Sequence, residues 1–277
     1  MGNNEVMKIN RVHSNPVLRF LNTNKGILIA LVGLIVVFGA LTGFEFLKTA
    51  NLINIVRIAS MDVIVAFGAT LVIITGGIDL SVGSAMAVAS TYCAGLILNG
   101  FGYFPSILIG LLMAVAIGFI NGAIVANTKI PPFIVTLGTM NIGRGIAYML
   151  SNGTAIRIDR EFGAVGNGYL FDVIPYPILI AIAILIVMII LLNKTKFGRA
   201  VYAIGGNAEA ARFSGINNKK VIWTTYTIAG LLYGIAGVLS ASRLYSGQPT
   251  LGDGAELSAI AAAVVGGTSM ALSLIHI

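Results

Sequence analysis

The chain has 277 residues, 57% of them hydrophobic and only 10% charged, with 34 glycines and a net charge of +7. Ordinary soluble domains carry about a quarter of charged residues, and several apolar runs here approach the roughly 20 residues that cross a bilayer core. The composition therefore excludes a water-soluble globular domain, and because the cations sit beside the apolar runs, it also argues against a nucleic-acid partner.

Apolar spans are expected at 26–46, 54–75, 82–99, 104–127, 132–150, 175–193, 220–242 and 257–275. The fold class is all-α: a polytopic transmembrane bundle of about eight helices. Residues 1–25 form a polar tail with Lys8, Arg11, Arg19 and Lys25 against Glu5, which the excess of positive charge on inner loops places in the cytosol. The first apolar run is too long for a signal-peptide core, and no small-residue cleavage site follows it. Counting crossings returns 194–219 to the cytosol, where Lys194, Lys196, Arg199, Arg212 and Lys219 face one acid, Glu209. The loop 151–174 balances Arg157 and Arg160 against Asp159, Glu161 and Asp172, and is expected outside together with 243–256. No soluble segment is long enough to bury its own core, so residues 26–277 read as one membrane domain.

Polar residues interrupt the apolar runs at a few places. Arg57 and Asp62 occupy the second span, where an ionised side chain at mid-depth costs about 2.5–3.5 kcal/mol or more. Arg57 can reach the interface along its stem, whereas Asp62 must belong to a structural network or to a polar pathway. Ile74-Thr-Gly-Gly-Ile-Asp-Leu-Ser-Val-Gly-Ser84 breaks a helix at Gly76 and Gly77, and Asp79 or Ser81 can cap the next one. Such a break is either a cytosolic turn or a non-helical stretch lining a conduction path. The run from Ile130 to Gly145 opens on Pro131 and Pro132, suited to a helix entry. It carries Thr136, Thr139, Asn141 and Arg144, which need partners in neighbouring helices or in a wet lumen.

The single cysteine, Cys93, lies in an apolar run and reads as a small buried hydrophobe. His13 and His276 stand near opposite ends, and no cluster has metal-ligand spacing, so neither a metal nor another cofactor is expected. Neither a nucleophile elbow nor a paired histidine site is present, which speaks against a membrane enzyme.

In the basic loop, Gly205 and Gly206 are expected to permit a sharp turn, and Asn207 to cap a short helix with Glu209 in its first turn. Ala210 and Ala211 keep that helix slim, Arg212 follows, and Gly215 ends it. A slim exposed helix suits docking into a groove of another protein, or it merely stabilises a loop.

Glu209-Ala-Ala followed by Gly215 resembles the coupling motif of ABC importer permeases. Thr75-Gly-Gly-Ile-Asp-Leu-Ser-Val-Gly83, Thr136-Leu-Gly-Thr-Met140, Phe197-Gly-Arg199, Ala203-Ile-Gly-Gly-Asn207, Glu209-Ala-Ala-Arg212, Ser214-Gly-Ile216 and Val264-Val-Gly-Gly-Thr-Ser269, in that order, resemble the ribose/xylose-type sugar permeases. The resemblance covers nearly everything from about residue 45 onward. It implies a subunit of the bacterial inner membrane that carries a monosaccharide by alternating access. The partners it implies are an ABC ATP-binding subunit, an extracytoplasmic sugar-binding protein and a second permease copy. It also implies that Gly205, Gly206, Asn207, Glu209, Ala210, Ala211, Arg212 and Gly215 couple to the ATPase; Asp79, Ser81, Thr136, Thr139, Asn141 and Arg144 are candidates for the path. The chain has no Walker lysine motif, so ATP hydrolysis is expected in a partner and not here. A related permease for branched-chain amino acids or nucleosides is the alternative, and an ion-coupled secondary transporter a further one. Where the family continues, this chain reads Met270-Ala-Leu-Ser-Leu-Ile-His-Ile277. It is therefore expected to be truncated or frame-shifted, its eight spans standing for about ten.

Overall fold

A computed structural model describes residues 25–268, in two compact units divided between Asn54 and Ile55. The polar tail up to residue 24, both histidines and the final segment from Ser269 lie outside the described residues.

In the first unit, α1 (Lys25–Leu41) is an apolar helix shorter than the run at 26–46. Thr42 ends it: its hydroxyl turns back to Phe38 O at 2.7 Å and accepts Phe46 N at 3.1 Å, while Gly43 and Phe44 take positive φ. A 3-10 turn, Glu45–Leu47, follows, and Lys48 pairs with Glu45. Helix α2 (Thr49–Ile74) then begins.

The second unit is built around α3 (Val82–Leu98). This helix is composed largely of Ala, Ser, Gly and Val, and almost all of it is buried. Around it pack α4 (Tyr103–Asn127), α5 (Pro132–Leu150) and α10 (Asn218–Leu244). Pro132 occupies the first turn of α5, where a missing N–H costs nothing. The stretch after α5 holds β1 (Ile156–Arg157), the single turn α6 (Ala164–Asn167), β2 (Tyr169–Leu170) and β3 (Ile174–Pro175). Strands β2 and β3 pair with each other, and β1 pairs antiparallel with β4 (Ser246–Gly247), Ile156 opposite Gly247. Then come α7 (Tyr176–Lys194), α8 (Lys196–Gly206) and α9 (Ala208–Phe213), with α11 (Ala255–Val265) following β4.

Among the described residues, five helices are long and apolar enough to cross a membrane: α2, α4, α5, α7 and α10. The shorter apolar helices α1, α3 and α11 fall at the remaining expected spans.

The most extensive packing joins α4 to α10, and its cause is a row of small residues. Ala114, Gly118 and Gly122 recur at four-residue spacing on the face of α4 that meets α10, so backbones approach closely, as membrane helices do at small-residue interfaces, while Gly110, one turn earlier, meets α3 at Ala89 O. A Cβ added at Gly122 would lie 2.7 Å from Trp223 O, and one at Gly230 would lie 2.6 Å from Ala114 O. Trp223 closes this contact by donating Nε1–H to Phe119 O at 2.9 Å.

The stretch at 243–256, expected to be a loop, is packed against the bundle over part of its length. After α10 ends at Tyr245, in a left-handed conformation, the chain does not loop beyond the helix ends. It runs as non-helical backbone along α3, from the level of Ala94 to that of Gly83. That distance is about 16 Å at 1.5 Å per helical residue. Gln248 N donates to Ser90 Oγ at 3.3 Å, and a Cβ on Gly252 would lie 2.8 Å from Gly83 Cα. The loop-like composition is real, but Gly247 and Gly252 allow close packing against α3, while Thr250, Asp253 and Gly254 stay exposed.

Candidate functional site

The break between α2 and α3 is tied to its neighbours by buried hydrogen bonds. Gly76 takes φ +82, and Gly77 leaves room for a tyrosine, since a Cβ there would lie 2.5 Å from Tyr226 Oη. Ser81 is the first cap residue of α3, but its side chain caps no amide. Asp79 closes the turn just before the helix, as Oδ1 accepts Ser81 N at 2.9 Å and Ser81 Oγ at 2.6 Å. Ser81 Oγ in turn accepts Asn121 Nδ2 at 2.8 Å, and Asn121 Oδ1 accepts Thr139 Oγ1 at 2.6 Å. Thr136 Oγ1 accepts Leu80 N at 3.0 Å and lies 3.2 Å from Ile78 O. Thus α4 and α5 hold the break from one side. From α10, Tyr226 and Tyr233, both buried, bear on Asp79, whose Oδ2 has no closed hydrogen bond among the described residues.

Arg144 and Asn141 have different fates. The Arg144 guanidinium reaches the non-helical stretch after β4, with Nη1 donating to Pro249 O and Leu251 O and Nη2 pairing with Asp253 at 2.6 Å. Irregular backbone at membrane depth survives where protein groups satisfy it, and this arginine does so. Asn141 is exposed on α5 and its amide returns to Leu137 O at 2.9 Å.

The basic loop folds as two helices rather than one. Thr195 caps α8 by accepting Gly198 N at 3.1 Å, and Asn207 caps α9 by accepting Ala210 N at 2.9 Å. Glu209 lies in the first turn of α9, exposed; Ala210 and Arg212 are exposed beside it, and Ala211 is buried. Gly215 follows the helix with φ +83. Gly205 and Gly206, read as a sharp turn, are instead the last residues of α8, and extended Asn207 makes the bend. Gly205 has a different duty: any Cβ there would overlap the carbonyl oxygen of Ile74, the last residue of α2. The loop therefore sits directly on the edge of the break. Replacing Asn207 by alanine is expected to fray α9 at a cost of about 1 kcal/mol, seen as faster amide exchange at Ala210 with α10 unchanged.

The two ionisable residues of α2 part company. Arg57 reaches the stretch between α5 and α7: it is buried, stacked 4.9 Å from the Tyr169 ring centre, with Nη1 3.5 Å from Asn167 Oδ1. Asp62 is exposed, and no hydrogen bond or ion pair reaches it among the described residues.

Long apolar helices, a buried broken helix pair and an exposed helical loop seated on the break define the class: a polytopic membrane transport protein. The chain belongs to the family described as branched-chain amino acid transport system, permease component, which matches residues 51–276. It is 39% identical over 263 residues to the ribose import permease protein RbsC of Bacillus subtilis, covering 94% of this chain and 80% of that protein. Identity is 40% over 247 residues with the ribose import permease of Haemophilus influenzae, covering 87% and 76%. With the D-allose transport system permease protein AlsC of Escherichia coli it is 36% over 247 residues, covering 85% and 73%. No solved structure matches.

Proposed function

We propose that this chain is the permease subunit of an ATP-driven ABC importer and moves a monosaccharide across the bacterial inner membrane by alternating access. Relatives named for ribose and D-allose import support the sugar; the family description names branched-chain amino acids, the competing substrate. The ATP-binding subunit, an extracytoplasmic sugar-binding protein and a second copy of the chain are the partners. The N-terminal tail and residues 194–219 face the cytosol in this reading, with 26–277 as a single membrane domain.

One observation carries the mechanism: α8 meets the end of α2 at backbone contact, through Gly205 and Ile74. A push on the exposed α9 is delivered through α8 to the break, with no flexible side chain to absorb it. Helix α10, continuous from Asn218, brings Tyr226 and Tyr233 to the same place. Gly205, Gly206, Asn207, Glu209, Ala210, Ala211, Arg212 and Gly215 are thus the coupling element. Asp79, Ser81, Thr136, Thr139 and Arg144 form the frame of the path, since each is hydrogen-bonded to other parts of the protein, and Asn141 lies on its outer side.

The test uses the full-length chain with its partners. Glu209→Lys is expected to weaken recovery of the ATP-binding subunit by roughly tenfold or more, equivalent to about 1.4 kcal/mol, while membrane insertion stays normal. Normal recovery and uptake in this variant would reject the coupling role. In vesicles, ATP-dependent uptake of ribose but not leucine is expected. Leucine uptake alone would select the amino-acid reading, and uptake driven by a proton gradient without ATP would overturn both.

A further inference from the structure

We infer that the face of α2 carrying Asp62, together with α11, lines a polar route for a neutral polyhydroxylated solute. This rests on the monosaccharide reading above. Asp62 is the middle of a 26-residue apolar helix, about 18 Å from its Ile74 end at 1.5 Å per residue. It therefore lies deep within a core roughly 30 Å thick. A carboxylate at that depth that meets no partner in its own protein needs water or a polar solute beside it, not lipid. Unlike Arg57 or Asp79, it has no internal partner among the described residues.

Geometry supplies the space. Ala59, Asp62 and Ala66 of α2 face Ser258, Ala259 and Ala262 of α11 across a cavity of about 180 Å³, large enough to hold water. Small residues on both helices keep it open, where leucines would close it. Chemically it suits a sugar: the Asp62 carboxylate accepts hydrogen bonds from hydroxyls, the Ser258 hydroxyl gives and accepts, and alanine methyls offer a surface for C–H groups. None of these groups belongs to the buried frame around Asp79.

Cysteine labelling in the full-length importer tests this. The sole cysteine, Cys93, is 0% exposed, so Cys93→Ala provides a clean background for Asp62→Cys. Ile186→Cys, on an exposed face of α7, serves as the lipid-facing reference. A charged, membrane-impermeant methanethiosulfonate is expected to modify the thiol introduced at 62 about tenfold or more faster than that at 186, because only the former borders water. Saturating monosaccharide with the binding protein is expected to slow it. Modification only by a lipid-soluble maleimide, or a disulfide between two copies without hydrophilic labelling, would overturn the inference while leaving sugar uptake by the wild type intact. Labelling that no solute slows would also overturn it. Slowing by leucine and not by sugar would overturn the substrate class here and in the reading above together. Should Asp62→Cys fail to insert, Ser258→Cys reports on the same cavity.

Discussion

Gly118→Leu is expected to be among the most destabilising single changes at the α4–α10 contact. A Cβ at this position would overlap Tyr226 O and lie 3.0 Å from Gly230 Cα. These neighbours are backbone, so no rotamer change relieves the clash and α4 must move away from α10. Overpacking ordinarily costs 1–3 kcal/mol, occasionally more, and a backbone clash belongs at the upper end, about 3 kcal/mol. For a chain of this size that corresponds to a melting temperature lower by roughly 6–12 °C. Gly138→Leu is the control, because nothing lies within 4 Å of a Cβ there. Equal losses in detergent melts of the two full-length variants would show that close helix approach is not the cause.

Arg144→Met is the second large effect, and its magnitude separates two roles of one guanidinium. The Asp253 side chain is 62% exposed, so the ion pair contributes less than about 1 kcal/mol. The carbonyls of Pro249 and Leu251 matter more, since stranding a buried acceptor costs about 1–3 kcal/mol each. With both only partly covered, the expected loss is about 2–4 kcal/mol, accompanied by new protease sites between Tyr245 and Gly254. Lysine should rescue incompletely, since a point charge cannot fork to several acceptors at once. Asp253→Asn should change stability by less than about 1 kcal/mol. If it destabilises as much as Arg144→Met, the carbonyl contacts are not what hold this stretch.

What the sequence disclosed and what it hid divide along physical lines. Most helix positions, the Asn207 cap, the Glu209 turn and the stop at Gly215 are local, each depending on residues within one or two turns, and they lie where the sequence puts them; the first and last spans differ, α1 stopping at Leu41 and α11 at Val265. Gly205 was misread because its neighbour, Ile74, is 131 positions away in the chain, and nothing local distinguishes a turn glycine from one that admits a carbonyl. The same applies to 243–256, where Gly and Pro signal non-helical backbone without saying whether it is exposed. A clue was available in Arg144: five N–H donors in an apolar helix require acceptors, and a glycine- and proline-containing stretch has free carbonyls to give. The break at 75–81 was recognised, but its frame needed Asn121, which reads as an unremarkable polar residue in α4. Likewise the four-residue recurrence from Gly110 to Gly122 was visible only as general glycine richness.

The bond between Gln248 and Ser90 spans 158 positions, and this has a consequence for biogenesis. A translocating chain can release α3 into lipid as soon as it emerges, yet the strip that covers it has not been synthesised. Until that strip arrives, Ser84, Ser90 and Thr91 must be shielded by α4 and α5, or by an insertase. Final closure of the protein therefore waits for that strip, and the order of emergence from the ribosome sets when the transporter can first become watertight.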